Sequence, residues 1–297
     1  MPVAIFLQHL VNGISLGSLF ALIAIGYTMV YTILSMINFA HGDIFMISLY
    51  FAFFALSTFR MPWVLALVCV AVLTPLVGIL VERFAYRPLR NAPKNSVLIS
   101  AIGTSFLLEN AATYLFGGRP KAFPDIPSLT RVISIRSVNF QVVSLVIPLI
   151  TAIALAILLN FIHRTKTGIA MRAVAKDYET AKIMGVNINQ IIALTFIIGS
   201  ALAAVGGFMW GAKYPGITPM MGVMPGLKCF VAAVVGGISD IKGAVVGGFI
   251  LGLGEVMIVA LFPSISGYRD AFAFVVLIVI LLVKPAGILG TRVTEKV

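Results

Sequence analysis

WVLALVCVAVLTPLVGILVERF, residues Trp63 to Phe84, is the stretch from which the fold class is read. No charge interrupts it before Glu82, and Arg83 follows at once. Its length matches the roughly 20 apolar residues that a helix needs to cross the hydrocarbon core of a bilayer. It lacks the alternation of the roughly ten-residue segments that build a transmembrane barrel. Working outward, comparable runs fall at residues 7–34, 36–59, 97–116, 141–161, 191–211, 224–239, 243–262 and 268–285. The first is long enough to include an interfacial turn. Residues 224–239 are short and glycine-bearing, as a broken or re-entrant segment would be. The count is eight or nine spans. No long polar break separates them, so the expected fold is all-α, a polytopic helical membrane protein with one domain over 1–297 and no repeat visible by eye.

Composition agrees. The 297 residues are 60% hydrophobic and only 10% charged, and mean hydropathy is +1.09, outside the range of soluble domains. The net charge of +11 sits in loops and tails between apolar runs, without the aromatic-basic interleaving of a nucleic-acid surface. Cys69 and Cys229 fall within apolar runs and read as buried thiols, not a disulfide or a metal site. The N-terminus has no basic region ahead of its apolar run, so no cleaved signal is expected and the first helix belongs to the fold. No phosphate-binding G-x-x-x-x-G-K-[ST] loop, H-E-x-x-H or G-x-S-x-G occurs. His9, His41 and His163 lie far apart. Hydrolysis of ATP by that loop, metalloprotease chemistry and serine hydrolysis are therefore not expected, nor is a cofactor.

Lys and Arg concentrate in cytoplasmic loops. One side collects Arg83, Arg87, Arg90, Lys94, the charges of 164–182, Lys242, Lys284, Arg292 and Lys296. The other collects Arg60, Arg119, Lys121, Arg131, Arg136, Lys213 and Arg269. The larger set is assigned to the cytoplasm, which puts the C-terminus inside and the loop 117–140 outside. The N-terminus is outside with nine spans and inside with eight.

Several polar groups stand in or beside the spans. Asn38, His41 and Asp43 follow Ile37 in a segment that also holds Gly42. Such residues are costly in hydrocarbon and break helices. Asn38 and His41 fit a substrate pathway and a simple turn equally well, and Asp43 fits a cytoplasmic turn better. Glu109, with Asn110 beside it, and Glu255 lie in the middle of apolar runs. Each must be paired, protonated or facing water. Glu109 and Asn110 fit a polar lining or a gating contact, or else a structural contact; Glu255 fits the structural contact better, and Lys228 can partner either acid. Gly13–Gly17, Gly243–Gly247 and Gly248–Gly252 are spaced for close helix packing.

The segment His163 to Asn187, HRTKTGIAMRAVAKDYETAKIMGVN, is the most densely charged of the chain. Met171, Val174, Tyr178 and Ala181 recur at helical spacing, which predicts a short amphipathic helix ending near Gly185. Arg172, Lys176 and Asp177 lie off that stripe. Such a helix grips another protein or rests on lipid headgroups.

Three stretches together resemble one family. They are Asn12 to Ser18 continuing through Ala21–Tyr27 to Ile37–Asp43; Glu82 to Arg90; and Arg172 to Asp177 with Ala181, Gly185–Asn187 and Ala193–Gly199. The ending Lys284 to Gly290 is similar too. The chain resembles the integral-membrane permease of ABC importers for branched-chain amino acids, in its LivH-type form. The resemblance implies import of leucine, isoleucine and valine across a bacterial inner membrane by alternating access. It implies as partners a second related permease, two ATPase subunits and a periplasmic amino-acid-binding protein. It also makes the 163–190 loop a coupling element, with Met171, Arg172, Val174, Lys176, Asp177, Tyr178, Ala181 and Gly185 facing the ATPase. Other ABC permease classes begin this motif Glu-Ala-Ala; here it reads Arg-Ala-Val-Ala. The alternatives are a urea or amide permease of the same family, an ion-coupled secondary transporter using Glu109 and Glu255, and an intramembrane enzyme, which the missing constellation disfavours.

Overall fold

The computed structural model describes residues 3–90, 92–135 and 138–290. Arg136, Arg292 and Lys296, used in the charge assignment, lie outside the described residues. The chain begins with α1 (Val3–Leu34), α2 (His41–Ser57) and α3 (Trp63–Val81), the last extended by a π-helical turn, Glu82–Tyr86. It continues with α4 (Lys94–Phe116), β1 (Lys121–Ala122), α5 (Pro127–Thr130), β2 (Val132–Ile135) and β3 (Val138–Gln141). Then come α6 (Val143–Arg164), α7 (Lys166–Lys176), α8 (Tyr178–Ile183), α9 (Ile188–Lys213) and β4 (Gly216–Ile217). The last helices are α10 (Val223–Gly236), α11 (Ile241–Leu261) and α12 (Arg269–Val283), with a 3-10 turn, Pro263–Tyr268, before α12.

Among the described residues, seven helical segments are long and apolar enough to cross a membrane, and α2 and α10 are shorter apolar helices. The first span holds no interfacial turn: α1 is one helix of 32 residues, about 48 Å long at roughly 1.5 Å per residue. It is the central pillar and is sheathed by the other helices over most of its length. The glycine spacing explains how. Gly17 of α1 faces α11, where an added Cβ would lie 2.9 Å from the Phe249 Cα. Gly248 faces back onto Ala21 at 2.6 Å from its nitrogen. Two small-residue faces therefore meet, and close backbone approach drives packing where lipid removes the hydrophobic incentive.

The bundle contains a repeat that is not visible in the sequence. α1–α4 and α9–α12 each comprise a long helix, a short helix and two further helices. α1 packs on α11 as α9 packs on α3, and α2 packs on α4 as α10 packs on α12. α1 and α9 run antiparallel: Gly26 sits beside Gly199, Ile23 beside Gly206 and Phe20 beside Trp210. The two units are thus inverted copies. Each position demands only an apolar or small residue, so matching packing leaves little matching sequence.

On the end opposite α7 and α8, β1 pairs antiparallel with β4, and β2 with β3. The β1–β4 ladder ties the segment after α4 to the one after α9, and β2–β3 is a hairpin leading into α6.

Candidate functional site

The two short helices begin inside the bundle. After α1 ends, Ser35 takes a positive φ of 52°, and residues 35–40 lead back to His41, which packs beside Gly26 two turns before the end of α1. The span expected at 36–59 is therefore a non-helical entry followed by a helix of 17 residues, about 25 Å long and short of the roughly 30 Å core. α10 has 14 residues, about 21 Å by the same rise. The N-termini of the two helices meet. A Cβ on Gly226 of α10 would lie 2.9 Å from the Gly42 Cα, and one on Gly42 would lie 3.1 Å from the Gly226 Cα. Only glycine at both positions permits this crossing.

Beside the crossing lies a cavity of about 370 Å³, walled by α1, α2, α4 and α10 and by the segments entering the two short helices. Two acids line it, Asp43 and Glu109. Asp43 stands in the first turn of α2 and is 2% exposed. Its carboxylate accepts a 2.5 Å hydrogen bond from the Ser105 hydroxyl of α4. The reading of Asp43 as part of a cytoplasmic turn is therefore corrected: the chain turns inward at 35–40 and carries the residue into the bundle. Glu109, one turn beyond Ser105, is 6% exposed, and its carboxylate has no hydrogen bond or ion pair among the described residues. The rest of the wall is mostly apolar.

The other residues singled out from the sequence lie elsewhere. Asn38 is buried, and its Oδ1 accepts a 3.0 Å hydrogen bond from the Tyr86 hydroxyl. His41 packs edge-on against Tyr27 at 4.7 Å. Both brace the start of α2 from behind and do not line the cavity. Asn110 faces outward, and its amide donates to the Phe106 carbonyl one turn back at 2.7 Å. The structure thus joins Glu109 to Asp43, not to Asn38, His41 or Asn110. The signal for Asp43 was its standing as the lone formal charge between Met1 and Phe59.

Glu255 has a different setting. It is 1% exposed, and its Oε1 lies 2.7 Å from the Lys228 Nζ. Arg269 of α12 contacts the same oxygen. Lys228 also reaches Asp270 at 2.5 Å. This is a neutral cluster of two acids and two bases knitting α10, α11 and α12.

The charged segment after α6 forms two helices, not one. Asp177 is extended, at φ −155° and ψ 105°. Its Oδ1 accepts the Thr180 N–H at 3.0 Å and its Oδ2 the Thr180 hydroxyl at 2.5 Å. The residue that begins α8 so well interrupts the helix before it. The hydrogen bond from the Thr180 hydroxyl, followed by that from its amide, holds the Asp177 carboxyl below the usual carboxylate range. Gly185, at φ +83°, supplies the left-handed stop. The apolar stripe is also reassigned. Met171, Val174 and Ala181 are buried and Tyr178 half-buried against the bundle, where α7 packs on α1, α6 and α9. Arg172, Lys176, Asp177 and Gly185 are exposed. So are two apolar residues that the periodicity did not single out, Ile183 at 83% and Met184 at 78%. Their signal was their place beyond the stripe, next to the helix stop.

Residues 9–281 match a family model described as "Branched-chain amino acid transport system / permease component". The chain is 43% identical to the "High-affinity branched-chain amino acid transport system permease protein LivH" of Escherichia coli (strain K12), over 98% of each chain. It is equally similar, with the same coverage, to the "High-affinity branched-chain amino acid transport system permease protein BraD" of Pseudomonas aeruginosa. A solved structure, "PsaBC from Streptococcus pneumoniae in complex with Fab", shares the fold at a TM-score of 0.50 and 11% identity, covering 94% of this chain and 92% of that one.

Proposed function

Because the chain belongs to the family of permease components of branched-chain amino acid transport systems, we propose that it is the membrane subunit of an ABC importer moving leucine, isoleucine and valine inward. The identity shared with LivH and BraD over nearly the whole of each chain carries this reading. It is a multi-pass inner-membrane protein working with an ATPase and a substrate-binding protein. In our reading these are two ATPase subunits, a second homologous permease and a periplasmic amino-acid-binding protein. The α7–α8 end is cytoplasmic, because Arg83, Arg87, Arg90, Lys242 and Lys284 gather there. Nine apolar helices then put the N-terminus outside, the C-terminus inside and the 117–140 loop in the periplasm. An ion-coupled transporter is not favoured: Glu255 is neutralised by Lys228 and Arg269 and is separate from the Glu109 cavity.

α7 and α8, within the 163–190 loop, form the coupling element. Their buried stripe of Met171, Val174 and Ala181 ties them rigidly to α1, α6 and α9. Ile183 and Met184, flanked by Arg172, Lys176 and Lys182, meet the ATPase. ATP then biases the permease through contacts that differ between its two conformations. The test is co-purification of the ATPase with wild type, with Ile183→Glu/Met184→Glu and with Val174→Glu. The surface pair is expected to lose the ATPase while the permease stays monodisperse. Val174→Glu is expected to lower permease yield itself, since it buries a charge. Retention of the ATPase and of leucine uptake by the surface pair overturns the assignment.

A further inference from the structure

We propose that the cavity at the meeting of α2 and α10 holds the transported amino acid as a zwitterion, with Glu109 taking the α-ammonium group. The inference rests on the substrate class proposed above and adds a place and a chemistry for it.

Three independent features meet there. The first is an unpaired charge. Glu109 is nine-tenths buried, lines the cavity, and its carboxylate has no protein partner among the described residues. A buried carboxylate without a partner is costly, and a ligand ammonium removes that cost. Asp43 is already engaged by Ser105 and lies in the first turn of α2, where the helix dipole favours its charge. Glu109 has neither support. The second feature is polarity of the opposite sign. α10 starts at the cavity wall, with Gly222, Val223 and Gly226 lining it. The positive end of a helix dipole there suits the substrate carboxylate, as in transporters that place half-helix N-termini at mid-membrane. The third is shape. Phe39, Ile102, Phe106 and Leu227 supply an apolar wall. The volume of about 370 Å³ falls at the low end of the roughly 300–1,000 Å³ of small-molecule sites. An acid for the ammonium, a helix start for the carboxylate and hydrocarbon for a branched side chain together describe an apolar amino acid better than a sugar or a cation.

The test uses the whole transporter, the permease with its ATPase and binding protein, in proteoliposomes supplied with radiolabelled leucine, isoleucine or valine. Glu109→Gln removes the charge at nearly constant volume. Ile102→Trp fills the cavity from its rim. Each is expected to cut uptake about tenfold or more, the scale of one lost charge-assisted hydrogen bond, while the ATPase co-purifies in wild-type amount. Normal wild-type uptake, with both variants assembled and within about twofold of it, overturns the cavity assignment and leaves the substrate class standing. Failure of the assembled wild type to take up any of the three amino acids overturns the substrate class, and the cavity proposal falls with it.

Discussion

Glu109 and Glu255 look alike in the sequence: each is a single acid in the middle of an apolar run. In the fold they are opposites. Glu255 is met by Lys228 from α10 and by Arg269 from α12. Glu109 faces a cavity with no countercharge. The first carboxylate has its charge balanced by the protein through Oε1, although its Oε2 has no hydrogen-bond partner among the described residues. The second has no protein partner among the described residues, and the proposed amino-acid site rests on that difference. The difference teaches that depth in the span does not reveal whether an acid is met by the protein's own countercharges.

The largest expected effect separates the two on stability. Glu255→Ala leaves Lys228 with Asp270 alone and Arg269, 42% exposed, without its carboxylate, so the cost should fall below the roughly 3–5 kcal/mol of breaking a fully buried pair. The detergent-purified protein should show a lowered thermal midpoint and poor yield. Glu255→Met/Lys228→Met, which removes both charges, should recover part of the loss, because apolar replacement of a buried pair is often neutral. Glu109→Gln should leave the midpoint near wild type, since no protein partner is lost. If Glu109→Gln proves as destabilising as Glu255→Ala, the contrast collapses and Glu109 is structural.

The parts that could be read in advance were those that depend on one segment at a time. The Trp63–Val81 helix follows from an unbroken apolar run, the shortness of α10 from its glycines and length, and the stop at Gly185 from its permissive backbone. The parts that could not be read depend on two segments meeting. Lys228 and Glu255 are 27 residues apart and share no periodicity. Asp43 enters the bundle only because residues 35–40 turn inward beside α1, and the same residues would also have made a surface turn. The stripe through Met171 and Val174 marked an amphipathic helix correctly, but periodicity cannot tell whether an apolar face packs on its own bundle or on a partner. The inverted repeat was hidden for the same reason: its two halves match in packing, not in residues.

The smallest expected effect concerns Asp177, an acid in a third setting, outside the membrane and fully exposed. Here the protein supplies hydrogen bonds from Thr180 instead of a countercharge. Because these bonds are made to the ionised form, the folded carboxyl lies below its usual range. The cap therefore contributes fully above the ordinary carboxylate pKa of about 3.9 and is lost as pH falls through the lower folded value. Protection of the Thr180 amide against hydrogen exchange, corrected for the intrinsic rate, should be constant from about pH 8 to 5. Asp177→Ala should remove it across that range, while Asp177→Asn, an equally good cap, should keep most of it. Loss of protection already between about pH 7 and 6 would mean that exposure does not set this acid apart. If the Asn variant keeps the turn but weakens ATPase binding, the charge of Asp177 serves the partner and its hydrogen bonds serve the helix.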